Sequence, residues 1–222
     1  KDLVKFMFVE IHFRRNEIAI VITFKIRANH CLPEGKNIFV QIVQITEFSV
    51  KVLPTFRPEK ALNVTDPGFA AYMEKLGNAA GVKIASLADV QSALAQRMDY
   101  FAERGCRLSD HSFGSPDFTV WDEKAAEDAV KKGLAGEMPS EHEAAAYQSL
   151  MMDWLGARYA EKGFTMQMHI GAIRNLNTLR YRALGADIGC DSIGDVISAA
   201  SLAALLDRLA VKADFRRRSC TR

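Results

Sequence analysis

No apolar run in this chain of 222 residues reaches the roughly 20 residues that a membrane-crossing helix needs. The opening KDLVKFMFVEIHF lacks the small-residue cleavage site that ends a secretory leader, so no membrane partner is expected. The four cysteines, Cys31, Cys106, Cys190 and Cys220, lie far apart, with no CxxC and no Cys/His ligand spacing. Neither a disulfide framework nor a zinc knuckle is expected, and a reducing cytoplasm is the compartment that fits. An excess of one charge is missing too. Twenty-nine basic against 27 acidic side chains leave a formal net charge of +2, which gives no reason to expect nucleic acid as a partner. An initiator methionine is also lacking, so an incomplete amino terminus is expected.

What the chain does have is a hydrophobic fraction of 49%, ample for a packed core in one large domain or two small ones. Its middle part, residues 48–213, alternates β-rich runs with long helical patterns. VKVLPTF reads as a strand closed by Arg57 and Pro58. Asp66 and Pro67 have the form of a cap and first-turn proline for a helix through FAAYMEKLGNAA, which Gly81 ends. In SLADVQSALAQRMDYFAERG apolar residues recur at three- and four-residue spacing until Gly105 stops the pattern. CRLSDHS is then a short strand with a polar end, and DEKAAEDAVKKGLAG a helix. Ser140 and Glu143 form a capping box for a long helix through EAAAYQSLMMDWLGARYAEKG. FTMQMHIG is the third strand, RYRALGADIGCDSIGD a Gly- and Asp-rich loop, and VISAASLAALLDRLAVKA a final amphipathic helix.

Strands separated by long helices imply parallel pairing through right-handed crossovers. The expected fold class is therefore α/β. A complete eight-stranded barrel takes about 250 residues, so the middle part predicts either a partial (β/α)8 TIM-type barrel, an arc of parallel strands with long helices, or a smaller open sheet. Residues 1–47 follow other rules and read as strand-rich or ill-defined. IAIVITFKI and NIFVQIVQI combine high β propensity with low charge and would be aggregation-prone without a partner. Residues 214–222 form a basic tail.

Chemistry concentrates in FTMQMHIGAIRNLNT, residues 164–178. Period-two alternation puts Thr165, Gln167 and His169 on one face and Met166, Met168 and Ile170 on the other. Gly171 then ends the strand, and His169, Arg174 and Asn175 fall where the carboxyl end of a parallel strand lines a ligand crevice. The residues alone leave a buried, hydrogen-bonded structural histidine as the other reading of His169. Arg57 and Arg174 read either as anion ligands or as salt-bridge partners. Asp110 and His111 read either as an acid–imidazole pair or as a cap or turn pair.

Four blocks tie these segments together: VLPTFRPEKALNV (52–64), GCRLSDHSF (105–113), FTMQMHIGAIRNLNT (164–178) and DIGCDSIGD (187–195). In this order and spacing the middle part resembles the uronate isomerase (glucuronate isomerase) family, a divergent branch of the amidohydrolase superfamily. Leu176 and Cys190 depart from the family's usual residues. The resemblance implies a distorted β/α barrel that interconverts D-glucuronate with D-fructuronate, and D-galacturonate with D-tagaturonate. A base moves a proton between C2 and C1 through an enediol, while cationic groups hold the developing oxyanion and the carboxylate. It implies Asp110, His111 and His169 as catalytic residues and Arg57, Arg174 and Asn175 as ligands of a small hexuronate, arginine's fork suiting a carboxylate. A homo-oligomer is allowed. Asp191 and Asp195 are expected to shape a loop and cap the last helix, with Ser192 a further capping candidate.

The family's divalent metal, usually zinc, is held by a His-x-His pair and a late aspartate in a TDSR-like segment. Neither pattern occurs in this sequence, so no metal ligand is assigned here and an inactive, truncated enzyme is expected. Other metal-dependent amidohydrolase-type hydrolases need a full metal constellation as well, and a non-catalytic α/β interaction module would use open sheet edges. Codons that can encode FRRRSCTR also encode PKTILYT when read one base earlier, similar to the strand with which the family continues. An out-of-frame reading from about Phe215 is one expectation, and a basic tail for a partner is the other. Sequencing the encoding DNA separates them: codons that give no PKTILYT in the alternate frame sink the first.

Overall fold

The computed structural model describes the backbone of residues 5–14, 17–26, 53–186, 188–194 and 198–219, with side chains placed within 53–212. Backbone contacts divide the chain into two units, Lys1–Leu53 and Pro54–Arg222. In the first, β1 (Lys5–Arg14) and β2 (Glu17–Ile26) pair antiparallel, in register from Arg14↔Glu17 to Lys5↔Ile26. IAIVITFKI falls in β2, as its β-branched content favours. NIFVQIVQI lies outside the described residues.

The second unit runs α1 (Glu59–Leu62), α2 (Phe69–Ala80), α3 (Leu87–Glu103), β3 (Leu108–Phe113), α4 (Glu123–Ala135), α5 (Glu141–Lys162) and β4 (Thr165–Ile170). It continues through β5 (Ala172–Ile173), α6 (Thr178–Leu184), β6 (Ser192–Ile193) and α7 (Ala199–Ser219). β3 and β4 pair in parallel, Leu108↔Thr165 through Phe113↔Ile170. On the other edge of β3, Phe56 makes a parallel bridge to Ser109: its N–H donates to Leu108 O at 2.9 Å, and Asp110 N–H donates to Phe56 O at 3.0 Å. The result is a mixed helix/strand unit built on a short parallel sheet. The VKVLPTF strand is reduced to this single bridge in its described part.

Local chemistry sets the helix ends. Ser86 and Asp122 accept hydrogen bonds from Asp89 N and Ala125 N and cap α3 and α4. The capping box predicted at Ser140 and Glu143 is formed in full, which satisfies backbone donors that the helix cannot. Three expectations are corrected. Asp66 does not cap α2. Its carboxylate accepts from Gly68 N at 2.6 Å and turns the chain one step earlier, so Pro67 lies in that turn and α2 begins at Phe69. RYRALG is not loop but α6, because Asn177 caps it (Oδ1 to Arg180 N, 3.0 Å) and Leu, Arg and Ala are good helix formers. The glycine-rich character begins only at Gly185, which ends that helix. Finally, α7 does not stop at Ala213. No Gly or Pro interrupts it, and it continues helical to Ser219.

The helices cover one face of the sheet, with α5 at the centre. Tyr147, Met151, Met152, Leu155 and Tyr159 of α5 are fully buried. Tyr147 donates its hydroxyl to Ala61 O at 2.5 Å and meets Phe69 edge-on, while Tyr159 packs edge-on against Phe56. Buried Ser201 joins α7 to the segment after β3, accepting from Phe118 N and donating to Pro116 O, both at 2.8 Å. Asp153 of α5 is held by Arg208 and Lys212 of α7.

The turn of α2 into α3 is closed around Gly77, where a Cβ would stand 2.5 Å from Val82 O. That carbonyl cannot easily retreat, because Val82 N–H donates to Gly77 O at 2.9 Å. Gly77→Ala gains up to about 1 kcal/mol of helix propensity, yet overpacking here is expected to dominate and destabilise by about 1–3 kcal/mol. Urea midpoints of the two chains test this; an unchanged or raised midpoint for the variant refutes it.

Candidate functional site

Residues registered across a parallel pair share a face. Leu108, Asp110 and Ser112 with Thr165, Gln167 and His169 therefore line one side of the sheet, and Ser109, His111 and Phe113 with Met166, Met168 and Ile170 the other. Burial separates the two sides. Ser109, His111 and Phe113 are buried, and Met166 and Met168 pack on the core, so that side faces the helices. Among the described residues the other side is open, with the His169 side chain 50% exposed.

On the open side Asp110 joins two basic groups. Arg57 Nη1 lies 3.0 Å from its Oδ2, and His169 Nε2 lies 3.1 Å from its Oδ1. The second contact has ion-pair length without the alignment of a hydrogen bond. Arg57 is delivered by the Phe56 bridge and anchored from behind by Glu59, whose Oε2 accepts from Arg57 Nε at 2.6 Å and also pairs with Nη2. One end of the guanidinium is thus fixed and the other turned to Asp110. Sequence reasoning did not single out Glu59, although a carboxylate two residues from an arginine was the available signal.

Arg174 and Asn175 are held in a second cluster. Arg174 Nη1 contacts Asp191 Oδ2 at 2.7 Å, and Asn175 N–H donates to Asp191 Oδ1 at 3.0 Å. These bonds, the Asn175 N–H first and the Arg174 side chain second, hold the Asp191 carboxyl below its ordinary range. Asn175 takes the left-handed conformation, φ 60, which asparagine tolerates better than most residues. Asp191 shapes the loop as expected, while Ser192 lies in β6 rather than at a helix cap. Asp195 lies outside the described residues. Both arginines thus carry the carboxylate partners that the salt-bridge reading required, and both still present part of the fork to solvent.

The reading of Asp110 and His111 as one acid–imidazole pair is overturned. Adjacent residues of a strand point to opposite faces, so the imidazole beside Asp110 is His169. The buried-histidine reading considered for His169 describes His111 instead, which is fully buried beside Phe113 and Tyr159. Nor is Asp110 a cap or turn residue, since it sits inside β3.

A catalytic zinc typically takes three protein ligands and an open position. Among the described residues no three His, Cys, Asp or Glu side chains gather around one point, and the Asp110 carboxylate is already shared between Arg57 and His169. The residues do not fit a zinc shell. No helix among the described residues is long and apolar enough to cross a membrane.

Fold and site together define a mixed helix/strand segment with an Arg–Asp–His chain on one face of a short parallel sheet. The family model for glucuronate isomerase matches residues 36–218, and the chain belongs to that family. It is similar to the uronate isomerases of Pectobacterium atrosepticum, 42% identical over 167 residues, and of Pectobacterium carotovorum subsp. carotovorum, 41% identical over 167 residues. These alignments cover 75% of this chain and 36% of each relative, so the chain spans about a third of their length. The crystal structure of uronate isomerase from Thermotoga maritima superposes with a TM-score of 0.63 at 32% identity, over 70% of this chain and 35% of that one. Glucuronate isomerase from Caulobacter crescentus shares the fold, with a TM-score of 0.58 at 24% identity over 71% and 33% of the two chains.

Burial first, and the Arg57 guanidinium second, push the His111 imidazole down from 6.5 to about 4. Unfolded, the ring binds a proton below its ordinary value; folded, it stays neutral down to about 4. Stability from this group is therefore complete above that ordinary value and is lost as pH falls through the window, by roughly 3 kcal/mol in all. In His111→Phe the acid fall of the urea midpoint between pH 7 and pH 4 is expected to be shallower than in the parent chain. Parallel curves contradict the assignment.

Proposed function

We propose that this chain supplies one wall of the hexuronate pocket of a uronate isomerase, an aldose–ketose isomerase acting on D-glucuronate and D-galacturonate in hexuronate catabolism. The observation that carries the proposal is the Arg57–Asp110–His169 chain on the open face of the sheet, at the positions where the sequence resembles the family. In this reading the short parallel sheet is an arc of a β/α barrel, and its open face is turned to the barrel interior. The enzyme acts in the cytoplasm on a small sugar acid, with no nucleic acid or membrane partner.

The isomerisation moves one proton from C2 to C1 and one between the oxygens on those carbons, through an enediol. Arg57 offers its outward guanidinium edge to the substrate carboxylate or to the developing oxyanion, where a charge-assisted, two-pronged contact is strongest. Asp110 and His169, within ion-pair reach of each other, form a relay able to accept a proton from one substrate atom and return it to another. Arg174 and Asn175, fixed by Asp191, meet hydroxyls at the carboxyl end of β4. His111 stands behind the sheet and holds β3 against α5. The family's zinc, a Lewis acid toward the sugar oxygens when bound, is assigned to ligands other than the described residues.

Titration of D-glucuronate into the isotopically labelled chain tests the pocket. The His169 ring and Arg57 guanidinium resonances are expected to shift, and to shift less with glucitol, which lacks the carboxylate. Equal shifts with both compounds, or shifts that persist at His169 in Arg57→Ala, contradict the reading. Elemental analysis of the purified chain is expected to give well under one zinc per chain and no turnover. Stoichiometric zinc with turnover would show that the metal ligands lie within this chain.

A further inference from the structure

Behind β3, on the side away from the proposed pocket, polar atoms gather without partners. Ser109 Oγ, His111 Nδ1, His111 Nε2 and the Tyr159 hydroxyl are all buried, and none has a hydrogen-bond partner among the described residues. They belong together. Ser109 and His111 are two residues apart on one face of β3, and the Tyr159 ring of α5 lies 5.6 Å from the His111 ring, centroid to centroid. Phe113 stacks on the imidazole at 6.3 Å, and Phe56 packs edge-on against Tyr159 at 6.2 Å. Burial pushes the Tyr159 phenol up, and the neighbouring Ser109 hydroxyl works against it.

Leaving a buried donor or acceptor unsatisfied costs the desolvation of that group with nothing in return. Such atoms gathered in one place weigh heavily on a marginally stable fold. Such a group calls for a partner that both donates and accepts. A metal ion does not fit: among the described residues no metal-binding trio exists, and His111 is the one imidazole they place in the group. A neutral imidazole offers one donor and one acceptor, and each hydroxyl offers both, which is the pattern that water complements. We propose that one or two ordered water molecules are bound between β3 and α5, hydrogen-bonded to His111, Ser109 and Tyr159. The site fixes the tautomer of His111 and bridges the strand to the central helix. It thereby holds the back of β3 while Asp110 works on its front.

The test is solution NMR on the full chain, with water itself as the probe. Long-lived water should give direct cross-relaxation to the His111 ring protons, and the two ring nitrogens should show one protonated and one hydrogen-bonded acceptor shift. The cross-peaks should vanish in His111→Phe and weaken in Tyr159→Phe, with both chains still folded, since an isosteric apolar replacement removes the need for the partner along with the group. Ring nitrogens bonded directly to protein oxygens, a His111 ring with no water cross-peak, or a chain without a dispersed His111 resonance would each overturn the proposal. Cross-peaks undiminished in His111→Phe would place the water elsewhere and overturn it equally.

Discussion

A strand laddered on both edges cannot turn about its own axis, and β3 is held in this way between the Phe56 bridge and β4. Alternation then decides where each side chain goes. Ser109, His111 and Phe113 are committed to the helical layer, and Asp110 and Ser112 to the open face, with no freedom to exchange. The chemistry on the front and the packing at the back are two consequences of one set of backbone hydrogen bonds. A slip of one residue would bury Asp110 among Phe56, Tyr159 and Phe118 and expose His111. A buried, unpaired carboxylate is costlier than anything an exposed imidazole could offer in return.

The ionic contacts have different purposes on the two sides. The Arg57–Asp110 and Arg174–Asp191 pairs are partly exposed, and such pairs contribute only about 0–1 kcal/mol. They are better understood as orientation: Glu59 and Asp191 each fix one arginine, and the remaining fork is presented. Asp153 is different. It is 4% exposed and clasped by Arg208 and Lys212, with Arg208 also lying 4.3 Å above the Trp121 ring. A buried pair of this sort adds little net stability, but it punishes any docking of α7 that leaves the charge alone. Gly156 allows α7 to lie close, since a Cβ there would stand 2.6 Å from a Leu209 methyl.

Much of this was legible in the chain, and the exceptions have physical causes. The capping box at Ser140, the Gly81 end of α2 and the alternation in β4 are local signals, written within a few residues, and each recurs in the structure. The partition of Asp110 from His111 is legible in principle, since period two separates adjacent residues of β3 as it does those of β4. Treating the two as a pair let sequence adjacency outweigh strand geometry. α6 was missed because Gly and Asp further along coloured the whole segment, whereas its cap, Asn177, lies before it. The Glu59 and Asp191 anchors depend on tertiary placement of the arginines and carry no periodic signature. Phe56 shows the opposite limit, since the described part of a β-rich run produced one bridge.

Hydrogen exchange at individual amides tests the central claim, that β3 is locked on both edges, most directly. The amides of Phe56 and Asp110, which donate across the first edge, and of Thr165 and Gly171, which donate to Arg107 and Phe113 across the second, should exchange among the slowest in the chain. Amides of α6, which buries no side chain, should exchange orders of magnitude faster. Protection at Phe56 and Asp110 no greater than in α6 would mean that β3 is not held there. The separation of a chemical front from a packed back would then have no basis.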